Sequence, residues 1–185
     1  MDKALKEKLL HKMEGSLGAL RKEFNAVRTG RASLALLDGI TVDYYNTPTP
    51  LQQVAALSVP ESRLIVIQPW EQKMIGEIER AILKSGLGLT PANDGKLIRL
   101  SIPMLTEERR HELVKVVKKK AEEARVAVRN VRRDVIEGVK RTEKEHHGSE
   151  DEVKKTIDEV QKITDAYIKK ADELLEAKEK EIMEV

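Results

Sequence analysis

The chain has 185 residues, room for one domain or two small ones, and is 36% charged and 40% hydrophobic with a formal net charge of +2. No apolar run is long enough to cross a membrane, and the amino terminus MDKALKEKLL lacks the apolar core and cleavage pattern of a secretory signal. Zero cysteines exclude disulfides, thiolate metal sites and cysteine nucleophiles, and suit a reducing compartment; a cytoplasmic protein is expected. The charge is unevenly placed: residues 1–30 carry +3, 31–105 zero, 106–148 +4 and 149–185 −5. That asymmetry predicts one basic side, not a uniformly basic coat.

Taken in order, Leu10, Met13, Leu17, Leu20, Phe24 and Val27 alternate steps of three and four, a heptad-like helix seam. Gly15 and Gly18 lie inside it and read as points of close helix packing. Gly30 has the chemistry of a left-handed stop, so the helix is expected to end at Arg28-Thr29-Gly30-Arg31.

The character then changes. All six prolines fall between Arg31 and Leu105. Ile40–Tyr45 and Arg63–Gln68 are β-branched or aromatic runs of strand length, and Gln53–Val59 is a weaker strand separated from the first by Thr47-Pro48-Thr49-Pro50. Met74–Lys84 has Ile75, Ile78 and Ile82 on one helical face, and Gly86 and Gly88 stop it. Leu89 begins a short extended piece, and Lys96–Ile102 alternates as a strand. Gly86-Leu87-Gly88 follows a helix instead of opening one and lacks Gly-Lys-Ser/Thr, so it is no phosphate loop.

Thr106 is an N-cap for a long helix, with Glu107 and Glu108 favourable at its start. From Leu113 the apolar positions run Val117, Ala121, Ala124, Val128, Val131, Val135 and Val139. Arg125, Arg129 and Arg132 keep the same rhythm beside that stripe, spanning roughly 60° of the helix, and Arg133 extends the face. Residues 109–133 hold ten Lys/Arg against three Glu. Arginine among Ala, Val and Asn, where Glu or Lys would serve solubility equally well, points to phosphate, which its planar fork binds in two places. Arg132, at the stripe's boundary, can lay its stem on the bundle and reach outward with its guanidinium. A solvated face is the competing reading.

The long helix ends near His146-His147-Gly148, and Ser149 with Glu152 forms a capping-box pair for the last helix. Val153, Ile157, Val160, Thr164, Tyr167, Ala171 and Leu174 give its seam, widened by Leu175 and Ile182. Three amphipathic helices can bury their stripes only against each other or a partner. The fold class expected is therefore α+β: a three-helix bundle from residues 1–30 and 106–185, interrupted by a small α+β domain over 31–105. Two short crossings, Gly30-Arg31 and Pro103-Met104-Leu105, suggest a hinge.

These segments also carry a family resemblance. Arg28-Thr-Gly-Arg-Ala-Ser33, Leu37-Asp-Gly-Ile40, Tyr44-Tyr-Asn-Thr-Pro-Thr-Pro50, Leu105-Thr-Glu-Glu-Arg-Arg110 and Ala124-Arg-Val-Ala-Val-Arg-Asn-Val-Arg-Arg-Asp134 resemble the signatures of bacterial ribosome recycling factors. The similarity spans essentially the whole chain, in order and at matching spacing. It implies an elongated three-helix bundle and a β/α/β sandwich in a near-L, transfer-RNA-like outline. It also implies work with elongation factor G to split the ribosome after termination. The positions implied to contact large-subunit ribosomal RNA match Arg28, Arg31, Arg110, Arg125, Arg129, Arg132 and Arg133. The pattern departs at Gly15, Gly18 and Ile136-Glu137-Gly138, where weaker local helix is expected.

Read from the residues alone, the basic face suits a phosphate backbone, and scattered aromatics argue against base-by-base reading of single strands. An enzyme would need a nucleophile beside a base or a carboxylate pair in a cleft. His11 and His111 lie on highly charged helical segments, Glu107-Glu108 is helix-start charge, and His146-His147 before Gly reads as solvated more readily than as a metal site. A coiled-coil adaptor leaves the arginine face unexplained. The expectation is a monomeric, non-enzymatic translation factor without cofactor or metal, whose partners are the ribosome and elongation factor G.

Overall fold

Helices at both ends of the chain enclose a run of short strands. The computed structural model describes residues 1–146 and 149–184; of His146 only the backbone is described. The elements in order are α1 (Lys3–Ala26), β1 (Thr41–Tyr44), β2 (Thr47–Pro50), α2 (Leu51–Val54) and β3 (Ala55–Glu61). There follow β4 (Leu64–Pro69), α3 (Ile75–Lys84), β5 (Pro91–Asn93), β6 (Ile98–Ser101), α4 (Glu107–His146) and α5 (Glu150–Met183). Single 3-10 turns occupy Leu34–Leu37 and Gln72–Met74. The chain divides into two compact units, Met1–Thr29 with Thr106–Val185, and Gly30–Leu105.

In the first unit three amphipathic stripes meet. α1 buries Leu9, Met13, Leu17, Leu20 and Phe24; α4 buries Leu113, Val117, Ala121, Ala124, Val128 and Val135. α5 contributes Val160, Thr164, Tyr167, Ala171 and Ile182. The Thr106 hydroxyl accepts the Arg109 N–H at 3.2 Å, which caps α4. The helix runs without interruption through Ile136-Glu137-Gly138.

Four local readings change. Gly15 and Gly18 face solvent, and a methyl group at either position would meet no neighbouring atom within 4 Å, so they are not close-packing points. α1 ends at Ala26, where the N–H of Val27, in extended conformation, bonds the Phe24 carbonyl. Gly30 is left-handed, with φ +77°, but lies beyond that terminus and does not stop the helix. Ser149 is the N-cap of α5 without a side-chain cap bond; the Glu152 N–H goes to its backbone carbonyl at 3.0 Å. The acidic first turn Glu150-Asp151-Glu152 favours that helix start instead.

The second unit holds an antiparallel hairpin, β1–β2, and an antiparallel four-stranded sheet in the order β3-β4-β6-β5. Ile78 and Ile82 of α3 join Val42 of the hairpin and Ile65, Ile67, Ile98 and Leu100 of the sheet in one core. Thr47-Pro48-Thr49-Pro50 is not a spacer but strand β2, with Pro48 opposite Asp43 and Pro50 opposite Thr41. β2 pairs with β1 alone, and an edge strand is where a residue without an N–H is tolerated.

Candidate nucleic-acid interface

Five of the arginines singled out by sequence lie along α4, Arg110 in its first turn and Arg125, Arg129, Arg132 and Arg133 further on, but their surroundings differ. Arg125 is held inside the bundle: its side chain is only 20% exposed, Nε donates to Glu122 at 2.8 Å, and a terminal nitrogen donates to Asp172 on α5. The hydrogen bond from Arg125, with a second from Arg129, holds the Glu122 carboxyl below its ordinary pKa against the opposing effect of desolvation. Arg129 is exposed and reaches Glu122 at 3.2 Å. Such an exposed pair contributes little and exchanges readily for another anion.

Arg132 is half-buried. Its Nε is buried with no hydrogen-bond partner, the one guanidinium nitrogen so placed among the described residues. Arg133 is exposed, and neither Arg132 nor Arg133 has an ion pair with a described residue. A buried donor left without an acceptor is costly.

The remaining positions are dispersed. Arg110 donates to the Met183 carbonyl at 3.3 Å, tying the start of α4 to the end of α5. Arg28 follows α1 and is exposed, as is Arg31, which belongs to the second unit; both have interactions within the chain. At the crossings, a Cβ on Gly30 would meet Leu105 Cγ at 3.1 Å, while Pro103 and Met104 are exposed. The Ala32 N–H bonds the Ser62 carbonyl and the Ile102 N–H the Arg63 carbonyl, each at 2.8 Å. Both strands adjoining the crossings are thus pinned to the β3–β4 turn.

Two polar clusters escaped sequence reasoning. Thr29, 9% exposed, donates to Glu181 at 2.6 Å, and Lys178, also 9% exposed, reaches both oxygens of Glu181 at 3.3 and 3.2 Å. Lys178 stands four residues after Leu174 and four before Ile182, so seam spacing alone marked it for burial. The other cluster, Tyr44-Tyr45-Glu71-Lys73, joins residues too far apart in sequence to be paired by inspection. The His146-His147 pair lies outside the residues whose side chains are described. Among the described residues no group of three or more His, Asp or Glu is placed to hold a metal.

Fold and charge together define an α+β protein whose helical bundle presents arginine donors suited to a phosphate backbone. The sequence profile described as ribosome recycling factor matches residues 20–183. The chain belongs to the ribosome recycling factor family. It is 60% identical over 173 residues to the ribosome-recycling factor of Trichlorobacter lovleyi, covering 94% of each chain. It is 59% identical over 179 residues to that of Syntrophus aciditrophicus, covering 97% of each. A solution structure of a ribosome recycling factor matches all of both chains with TM-score 0.76 and 44% identity. A second solved structure, with TM-score 0.64, 46% identity and 98% of each chain covered, concerns T. thermophilus ribosome recycling factor and E. coli elongation factor G bound to the E. coli post-termination complex.

Proposed function

We propose that this protein, working with elongation factor G, splits post-termination ribosomes so that the subunits are reused. The whole-length similarity to ribosome recycling factors carries this reading. Its place of work is the cytoplasm, and it is a non-enzymatic factor: the GTPase partner supplies the hydrolysis energy. The bundle anchors on large-subunit ribosomal RNA through Arg129, Arg132 and Arg133, with Arg28, Arg31 and Arg110 as further basic contacts. Arg125 is chiefly a brace between α4 and α5, since both sides of its guanidinium are engaged. Gly30-Arg31 and Pro103-Met104-Leu105 form the hinge on which the inserted domain moves.

Arg132, half-buried and without an ion pair among the described residues, is the anchor to test. Arg132→Ala weakens ribosome affinity by about 1–3 kcal/mol, and the salt dependence of binding becomes shallower by about one unit for each phosphate no longer engaged. Arg129→Ala shows a similar weakening for a single phosphate. Lys154→Ala, on an exposed position of α5, leaves binding unchanged. Melting temperatures measured alongside distinguish a missing RNA anchor from a damaged fold. Native affinity and an unaltered salt slope for Arg132→Ala remove the proposed anchor.

A further inference from the structure

The brace that holds Arg125 does not end at Glu122. Glu122, Arg125 and Arg129 follow one another along α4 at steps of three and four, which stacks them on one helical face. Glu122 uses both carboxylate oxygens: Oε2 accepts from Arg125 Nε at 2.8 Å, and Oε1 from a terminal nitrogen of Arg129 at 3.2 Å. A terminal nitrogen of Arg125 donates in turn to Oδ1 of Asp172 on α5. Asp172, Arg125 and Arg129 each follow a buried seam residue, Ala171, Ala124 and Val128, so this chain of bonds is rooted in the packed bundle. Arg125 is its fixed centre, 20% exposed, and Arg129 its open end, 48% exposed.

An isolated exposed pair such as Glu122–Arg129 contributes little to stability. Here the carboxylate is already ordered by Arg125, so Arg129 joins it with the loss of its own side-chain freedom alone. That single bond engages one of the guanidinium N–H donors, and the others have no partner among the described residues. Two arginines against two carboxylates leave the group without net charge. What Arg129 offers an anion therefore depends on where its donors point, because bulk attraction is cancelled and a planar fork binds by orientation.

We propose that Asp172, Arg125 and Glu122 are positioning residues for Arg129, aiming its unpartnered donors at an RNA phosphate before the ribosome is met. This rests on the RNA anchoring proposed above and extends it to residues that do not touch RNA. Arg125 thereby takes part in binding without the direct contact that resemblance implies for it. A side chain ordered in advance loses less freedom on docking. Glu122 itself repels phosphate, so a carboxylate on this face serves binding only through the arginine it holds.

The test uses the full chain and ribosomes, with affinity measured over a range of salt concentrations and melting temperatures taken alongside. Arg125→Lys keeps the charge but cannot span both carboxylates with a fixed fork. It binds ribosomes about fivefold more weakly, the scale of ordering one flexible side chain on docking, with a native salt slope because no charge is removed. In the Arg129→Ala background the same substitution has no further effect, since nothing is left to aim. Asp172→Ala also weakens binding in the parent protein but not in that background, although it makes the protein more positive and bulk electrostatics would strengthen binding. A further loss when Arg125→Lys is added to Arg129→Ala overturns the proposal, because Arg125 then acts directly or through the fold. A lowered melting temperature with native ribosome affinity also overturns it, leaving only a structural brace. Should Arg125→Lys fail to fold, Asp172→Ala in the two backgrounds decides. Native affinity and salt slope in Arg129→Ala remove the Arg129 contact itself together with the relay, whereas native affinity in Arg125→Lys beside a weakened Arg129→Ala removes the relay alone.

Discussion

Asp94 shows how one carboxylate organises a turn. Its Oδ1 accepts the N–H groups of Lys96 at 3.0 Å and Leu97 at 2.8 Å, and its Oδ2 pairs with Arg99 at 2.9 Å. The Leu97 N–H, then Arg99 and the Lys96 N–H, hold its pKa well below the usual carboxylate range. A carboxyl that titrates lower in the folded protein than in the unfolded chain, where its pKa is about 3.9, stabilises the fold above that value. The stabilisation is lost as pH falls further. Asp94→Asn keeps an acceptor but not the charge. Thermal melts at about pH 7 and about pH 3 should therefore show a smaller acid-induced drop for the variant than for the parent protein. Equal drops would mean the Asp94 charge does not contribute.

At the scale of elements, glycines separate into two kinds that sequence alone does not distinguish. Gly15 and Gly18 sit in the middle of α1, outward-facing, with nothing for a methyl group to strike. Each alanine substitution there should raise stability by about 0.5–1 kcal/mol, measurable by urea unfolding, because the helical glycine loses more backbone freedom than alanine. Gly30→Ala has the opposite sign. Its φ of +77° and the Leu105 side chain 3.1 Å from the added carbon predict a loss of about 1–2 kcal/mol. The end of α5 carries the Thr29-Glu181-Lys178 cluster, which fixes the exit of α1 against the last turns of that helix. There the hydrophobic seam admits a lysine because a carboxylate meets it.

Across the whole molecule the charge segregation is only partly neutralised. The acidic last helix takes up cations of α4 through Lys118–Glu179 and Arg125–Asp172, leaving Arg132 and Arg133 without ion pairs among the described residues. The three stripes of the bundle bury one another, so no seam calls for a second copy. Purified protein is expected to sediment as a 20.9 kDa monomer and to hydrolyse neither GTP nor ATP. A stable dimer would favour an adaptor function. Turnover abolished by a point substitution in this chain would refute the non-enzymatic reading.

The helices α1, α3, α4 and α5, their buried stripes and the basic run of α4 were legible in the residues themselves, because a repeat of about 3.6 is a local property that survives without knowing what covers it. The strands around Ile65 and Leu100 were equally legible. Gln53 and Val54, read as the start of a strand, belong instead to the single-turn helix α2. Tertiary structure decided the rest. Thr47–Pro50 is a strand because β1 lies beside it, and two prolines hid that from any local rule. Arg125 and Arg132 look equivalent along one helix face. Asp172, 47 residues away in sequence, makes the first an internal brace, while the second keeps an unpartnered buried nitrogen. Which polar group meets which is a pairing between distant residues, and periodicity carries no information about it.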